Sequence, residues 1–336
     1  MKTNINLRPY NSFGFDAVAK EFVEINDANE LQTLIRRGQL KNKEVLVLSG
    51  GNNILFTKEV FDGIVLYMNS KGIKRIADED DHAILRVQAG EDWPEFVKQM
   101  VAKELHGVEN LANIPGKVGA APVQNIGAYG MELKDSFVQC EAIHLETGKK
   151  RTFVNKECLF GYRSSIFKGM LRGQYVITSV DFLLKKDAPL NMEYGNIKAY
   201  LEQNGIEKPT LQQLHDTICA IRNAKLPNVK QIGSAGSFFK NPIVSAEHYE
   251  RLKAEYPDMV AYPVADGYKL AAGWLIERAG WKGRSLGRCG VYEKQALVLI
   301  NLGGCTGADV IALADAITTD IQTRFGVTLE KEAIII

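Results

Sequence analysis

The stretch IKRIADEDDHAILRVQAGEDWPEFVKQMVAKELHG (73–107) carries two periodicities in succession. Residues 73–90 alternate apolar and polar on both sides of the acidic run Asp78-Glu79-Asp80-Asp81, a period of two that predicts a β-hairpin. From Asp92 onward the apolar residues fall at Trp93, Phe96, Val97, Met100 and Val101, one face of a helix. Asp92 and Glu95 form a capping pair at its start, and Gly107 lies just past its end. Two antiparallel strands followed by a helix do not make the βαβ unit of a doubly wound sheet.

The rest of the chain continues the mixture. VLVLSGGNNIL (45–55) reads as a strand ended by a tight loop, Gly50-Gly51-Asn52-Asn53. Thr210–Lys225 is a second helix, with a Thr210/Gln213 cap, a stripe of Leu211, Leu214, Ile218 and Ile221, and Pro227 as its stop. Arg222 and Lys225 stand near its end, where cations suit the helix dipole. Ala308–Phe325 is a third helix closed by Gly326, and VTLEKEAIII (327–336) reads as a strand with Glu330 and Glu332 on one face. Strands and helices mix without regular alternation, so the fold class is α+β, with a boundary near 201–210 where EQNGIEKPT gathers polar residues, Gly and Pro.

The 336 residues are 46% hydrophobic and 24% charged, a globular balance for about two domains. Lys plus Arg number 41 against 40 for Asp plus Glu, which leaves no basic field for nucleic acid. No run suits a membrane helix, and MKTNINLRPYNSFGF lacks the apolar centre of a signal peptide, so a cytoplasmic location is expected; a monomer is expected as well. The cysteines, Cys140, Cys158, Cys219, Cys289 and Cys305, are scattered and odd in number, as reduced thiols are. No CxxC or HExxH occurs, and no metal site is expected.

Four segments can carry chemistry. IPGKVGAAPVQNIGAYG (114–130) is rich in glycine and almost uncharged, which lets backbone approach a large ligand and offers N–H groups to anionic oxygens. The Gly50–Asn53 loop is a second candidate for a pyrophosphate, though strand ends commonly turn on these residues. Neither matches the Rossmann or P-loop pattern. GYRSSIFK (161–168) offers Arg163, whose planar fork fits a carboxylate, or else a surface arginine on a turn. GSAGSFFKNP (233–242) lacks the spacing of a nucleophile elbow; by composition it is as readily a glycine-rich turn into a strand as a functional loop.

Together these segments resemble the UDP-N-acetylenolpyruvoylglucosamine reductase family. IPGKVGAAPVQNIGAYG, GYRSSIFK, AKLPN, GSAGSFFKNP, KLAAGWLIERAGWKG, QALVLIN and LEKE occur in the family's order, from about Asn11 to Glu332. The resemblance implies a two-part FAD-binding region of the vanillyl-alcohol-oxidase type plus a smaller α+β substrate-binding domain. The expected ranges are 1–70 and 71–205 for FAD, the latter joined by a final strand 327–336, and 206–326 for substrate. AYPVADG (261–267) resembles a loop of the longer, type I variant, in which Tyr262 covers the nucleotide.

The resemblance also implies a reaction. NADPH reduces FAD, and hydride passes to the methylene of UDP-N-acetylglucosamine enolpyruvate, a UDP-sugar enolpyruvyl ether, leaving an enolate that is protonated to UDP-N-acetylmuramate. Arg163 and Glu332 match the residues that stabilise the developing charge, and Ser237 matches the proton donor. Tyr162, Tyr194, Lys225, Asn241, Tyr262, Lys282 and Gln295 match substrate-site positions. Gly50, Gly51, Asn52, Asn53, Pro115, Gly116, Gly119, Ala120, Ala121, Gln124, Asn125, Gly127, Ala128 and Tyr129 are the expected FAD contacts. Relatives often carry Gly-Ser-Ser where this chain has Gly119-Ala120-Ala121, and an arginine shortly after the final glutamate, where this chain runs Ala333-Ile334-Ile335-Ile336. A sugar oxidase on the same scaffold, or a non-catalytic nucleotide-sugar or FAD-binding protein, is the competing reading.

Overall fold

The alternating residues of 73–90 form an antiparallel hairpin, Ile73–Asp78 with His82–Gln88. It is the edge of a five-stranded antiparallel sheet in the order Lys150–Val154, Phe137–His144, Tyr175–Lys185, His82–Gln88, Ile73–Asp78. The structure is a computed structural model of residues 1–336, and the chain divides into two compact units. This sheet belongs to the first unit, residues 1–5, 19–50 and 62–222; the second comprises residues 6–18, 51–61 and 223–336.

In the first unit the capped helix is Trp93–Ala102, where the Asp92 side chain accepts from Glu95 N. Its stripe Trp93, Phe96, Val97, Met100 and Val101 is buried, each large side chain contributing about 1.5–3 kcal/mol. The rings of Phe96 and Trp93 meet Phe182 of the central strand at 5.0 and 5.9 Å, and Trp93 Nε1 donates to Leu111 O at 2.9 Å. The second helix, Leu211–Lys225, forms the expected capping box: Thr210 Oγ1 accepts from Gln213 N and Gln213 Oε1 from Thr210 N. Leu211, Leu214, Ile218 and Ile221 join the same core. A four-stranded sheet of Lys2–Asn6, Val18–Ile25, Val60–Met68 and Val45–Leu48 completes this part, its last pair parallel.

One charge is buried in the five-stranded sheet. Asp181 lies opposite Arg86 in the register, and its side chain is 2% exposed. Arg86 Nε and Nη2 fork onto its two oxygens at 2.8 Å each, Gln139 Nε2 donates at 2.8 Å, and Arg86 Nη1 reaches Glu141.

The second unit is built on the helix Gly307–Phe325, capped by Thr306 with Asp309 and ended at Gly326. Val310, Leu313, Ala314, Ile317 and Ile321 pack with Phe13, Phe15, Phe238, Phe239, Leu275 and Ile276. A sheet in the order Gly233–Ser237, Val298–Asn301, Cys289–Val291, Ser285–Leu286 borders this core.

The segment 327–336 departs from the expected continuous strand. Lys240 N donates to Glu330 O and Glu332 N to Phe238 O, and the chain then changes partner, with Ile334 N on Asn53 O and Ile336 N on Leu55 O. Only Ile334–Ile335 is regular strand, parallel to Ile54–Leu55. An alternating pattern reports burial and is blind to which strand lies alongside, so a mid-segment change of partner leaves no mark in it. All five cysteines are free thiols. No helix is long and apolar enough to cross a membrane.

Replacing Arg86 by Met strands the Asp181 carboxylate in the sheet and should destabilise the protein by about 3–5 kcal/mol in urea melts. The double variant Arg86→Met/Asp181→Leu should recover most of that loss, because the only carboxylate left without its partner, Glu141, is partly exposed.

Candidate active site

The first half of GSAGSFFKNP is strand and not turn: Gly233–Ser237 pairs antiparallel with Val298–Asn301. The register slips between Ser234 and Ser237, and Gly236 within the slip has φ +67, a left-handed value that a side chain would strain. Such a bulge re-aims the residue after it. Ser237 is exposed, while Phe238 and Phe239 are buried in the core. Ser234 is structural: it is buried, its N donates to Ser12 O at 3.0 Å, and its O accepts from Ser12 Oγ at 2.5 Å.

The next residues, 238–240, pair with 330–332. Phe238 O accepts from Glu332 N at 2.8 Å, Phe239 bridges Lys331, and Lys240 N donates to Glu330 O at 2.9 Å. Ser237 therefore stands one residue from the bond that holds Glu332. The two glutamates differ in setting: Glu330 is exposed and paired with Lys240, and Glu332 is half-buried. Asn53 Nδ2 donates to Glu332 O at 3.2 Å, so this loop residue holds both Glu332 and Ile334.

Two other expected substrate residues, Asn241 and Gln295, meet at one turn. Asn241 Oδ1 accepts from Ala272 N at 3.0 Å, capping the helix Ala272–Arg278. Gln295 Oε1 lies at the same turn, 3.3 Å from where a Cβ on Gly273 would sit, and accepts from Leu297 N. Lys282 is paired with Glu277 at 2.8 Å. Tyr262 is exposed on the strand Ala261–Val264, opposite Lys269, and Lys225 is exposed at its helix end.

In the first unit, Asn125 anchors the glycine-rich segment. It is fully buried at φ +46; Nδ2 donates to Glu132 Oε2 and Gly161 O, and Oδ1 accepts from Lys134 N. Its side chain thus ties the segment to the turn 161–164, which is closed by mutual Gly161 and Ser164 backbone bonds. Arg163 in that turn has φ +52, a conformation that costs about 1–3 kcal/mol and is characteristic of functional positions. Its Nη2 donates to Gly127 O at 2.8 Å, and its guanidinium lies 5.5 Å from the ring centre of Tyr162.

Tyr129, at φ +47, offers its carbonyl to Asn110 Nδ2, and burial pushes its phenol pKa up. Tyr194 approaches Gly130. Pro115, Gly116, Ala120, Gln124 and Ala128 are half-buried or exposed, Ala121 is buried, and Gly119 N donates to Ala89 O. Lys117 Nζ donates to Met68 O at 2.7 Å and lies 3.9 Å above the Tyr67 ring. Its burial brings the ammonium pKa down from 10.5 to about 8.

The residues of the second candidate loop are fixed by their neighbours. Gly51 has φ +63, and a Cβ there would lie 1.8 Å from Tyr10 O, so close backbone approach explains this glycine. Just before the loop, Ser49 Oγ is buried without a hydrogen-bond partner, as is Asn110 Oδ1 beside Tyr129. Orphaned buried polar atoms are costly, and both flank glycine-rich backbone. Sequence reasoning passed over Ser49, because a serine at a strand end is an ordinary turn residue.

The chain is 46% identical over 329 residues to UDP-N-acetylenolpyruvoylglucosamine reductase of Pseudomonas putida, covering 98% of this chain and 96% of that one. It belongs to the UDP-N-acetylenolpyruvoylglucosamine reductase family. The Flavobacterium johnsoniae reductase is 42% identical over 338 residues, covering 100% of this chain and 99% of that one. An FAD binding domain matches residues 19–153, and the reductase C-terminal domain matches residues 227–336. The crystal structure of the Thermus caldophilus reductase shares the fold at a TM-score of 0.67 and 22% identity, covering 98% of this chain and 97% of that one.

Members of this reductase family are FAD-containing oxidoreductases that take electrons from NADPH. The orphaned Ser49 Oγ and the half-buried segment 114–130 lie within the matched FAD domain and suit a cofactor rich in oxygen acceptors and flat ring surface.

Lys117 supplies a pH prediction. Its pKa is lower folded than unfolded, so its contribution to stability is full above 10.5 and lost as the pH falls through about 8. Wild type should therefore gain on Lys117→Met as pH rises from about 8 towards 10.5 in paired urea melts. Nitrogen-detected NMR should find one lysine titrating near 8 that is missing from the variant.

Proposed function

We propose that this chain reduces UDP-N-acetylglucosamine enolpyruvate to UDP-N-acetylmuramate at the expense of NADPH, as a type I member of the family. When bound, FAD supplies the hydride that adds to the enolpyruvyl methylene. The protein must hold the substrate, stabilise the negative charge that grows on its enolpyruvyl oxygens, and deliver a proton to the neighbouring carbon.

Arg163 is assigned to the carboxylate. Its fork matches two oxygens, its strained backbone and bond to Gly127 O fix its direction, and each such donor contributes a few kcal/mol to the transition state. Glu332 is assigned to the same developing charge, and Ser237 to the proton. A serine hydroxyl is a weak acid, but an enolate is a strong base, and the requirement is a donor held in reach. The ladder of 238–240 with 330–332 carries this reading: it anchors Ser237 beside Glu332, with Phe238 and Phe239 buried behind.

Tyr162, Tyr194, Lys225, Asn241, Tyr262, Lys282 and Gln295 are assigned to the UDP-sugar. Asn241 and Gln295 share one helix start, which favours a common ligand. Segments 50–53 and 114–130 are assigned to FAD. Residues 1–70 and 71–205 would form its two subdomains, and 206–326 would hold the substrate.

The decisive experiment uses FAD-loaded protein and measures the two half-reactions separately. In Ser237→Ala, reduction of the flavin by NADPH should keep its wild-type rate, and reoxidation by the enolpyruvyl substrate should slow by about 10²–10⁴. Unchanged reoxidation would remove Ser237 from its role. Wild-type protein that takes up FAD yet oxidises no NADPH when the substrate is present would overturn the whole reading.

A further inference from the structure

The five thiols are not alike. Cys140, Cys158, Cys289 and Cys305 are buried, whereas Cys219, in the helix Leu211–Lys225, is part-exposed. One turn earlier on the same helix face stands His215, which the proposed reduction does not use. Its Nε2 lies 3.7 Å from Cys219 Sγ, and its Nδ1 lies 2.9 Å from Asp216 Oδ1. Thiol, imidazole and carboxylate thus stand in series along one turn.

Each member has a defined part. A carboxylate only accepts, so in the neutral ring the contact with Asp216 puts the proton on Nδ1 and leaves the Nε2 lone pair facing sulfur. His215 is buried, which fixes the ring. Asp216 is exposed, and Gln212 Nε2 donates to the same oxygen at 2.8 Å. The other titratable or charged neighbours of the sulfur are Arg222 of the same helix and Tyr129 of the glycine-rich segment.

Burial, then the Asp216 charge, pushes the Cys219 thiol above its ordinary pKa, with Arg222 opposing them. The sulfur therefore rests protonated. A thiol is a poor nucleophile unless a base takes its proton as it attacks, and the imidazole is placed to do so.

We propose that Cys219 is a modification site, a thiol that His215 activates for oxidation by hydrogen peroxide. Sγ attacks one peroxide oxygen, and the O–O bond breaks. His215 Nε2 takes the thiol proton and returns it to the departing hydroxide, which leaves as water. The sulfur is oxidised to a sulfenic acid and the peroxide is reduced. Peroxide is small and uncharged, which suits a part-exposed sulfur beside a buried ring.

The test treats the full-length, FAD-loaded protein with hydrogen peroxide in the presence of dimedone, which traps sulfenic acids, and follows each cysteine by mass spectrometry. Dimedone should mark Cys219 while the four buried cysteines of the folded protein stay unlabelled. His215→Gln should slow labelling of Cys219 by about 100-fold, the lower range for an assisting base. Asp216→Ala, at an exposed position, should slow it by about 10-fold, because the contact that sets the ring is lost. In urea all three proteins should label alike.

Equal rates in folded wild type and His215→Gln overturn the proposal, because exposure alone would then explain Cys219. A folded wild type in which Cys219 stays unlabelled overturns it too, as does a difference between the proteins that persists in urea. If His215→Gln does not fold, an unchanged rate in Asp216→Ala has the same effect.

Discussion

The hydrogen bond from Glu332 N to Phe238 O is the constraint on which the second unit turns. It joins segments far apart in sequence, and the entropy of closing so long a loop is offset only because Phe238 and Phe239 enter the core beside it. Alternate residues of a strand point to opposite sides, so two consecutive buried aromatics mean that core lies on both sides of the backbone here. The Gly236 bulge just before them leaves Ser237 at the surface. Packing and proposed chemistry thus share one irregular strand end.

The first unit solves a similar problem by a different route. Its glycine-rich segment has little regular pairing, and it is held by polar side chains: Asn125 to the turn 161–164, Asn110 to Tyr129, Arg163 to Gly127. Each of these bonds reaches a backbone oxygen, so the loop's shape is specified from outside. Three residues in or touching it, Asn125, Tyr129 and Arg163, take left-handed backbone angles despite having side chains. Strain of that kind persists where the surroundings over-determine it.

What could be read in the sequence follows from the range of the forces involved. The 73–88 hairpin and the three long helices were legible because period and caps are set by neighbours within a few residues; Asp92 and Thr210 cap as expected, and the third helix, recognised by its stripe and Gly326, is capped by Thr306. The terminal segment was misread as one strand because its change of partner, from Phe238 to Asn53, is a tertiary event. The place of Ser234 is set by Ser12, remote in sequence, so no local pattern marks it. Arg222 reads as a helix-end cation, and two of the residues that face it, Tyr129 and Arg163, are remote in sequence. The family was legible from a set of motifs in a fixed order, since no single octapeptide distinguishes a ligand contact from a turn.

Asn53 binds Glu332 O through its side chain and Ile334 N through its carbonyl. Genetically, the glycine-rich loop and the terminal carboxylate are therefore one unit of epistasis. Lesions in the loop and at Glu332 would not combine additively, and a variant at Asn53 would carry a displaced Glu332 with it.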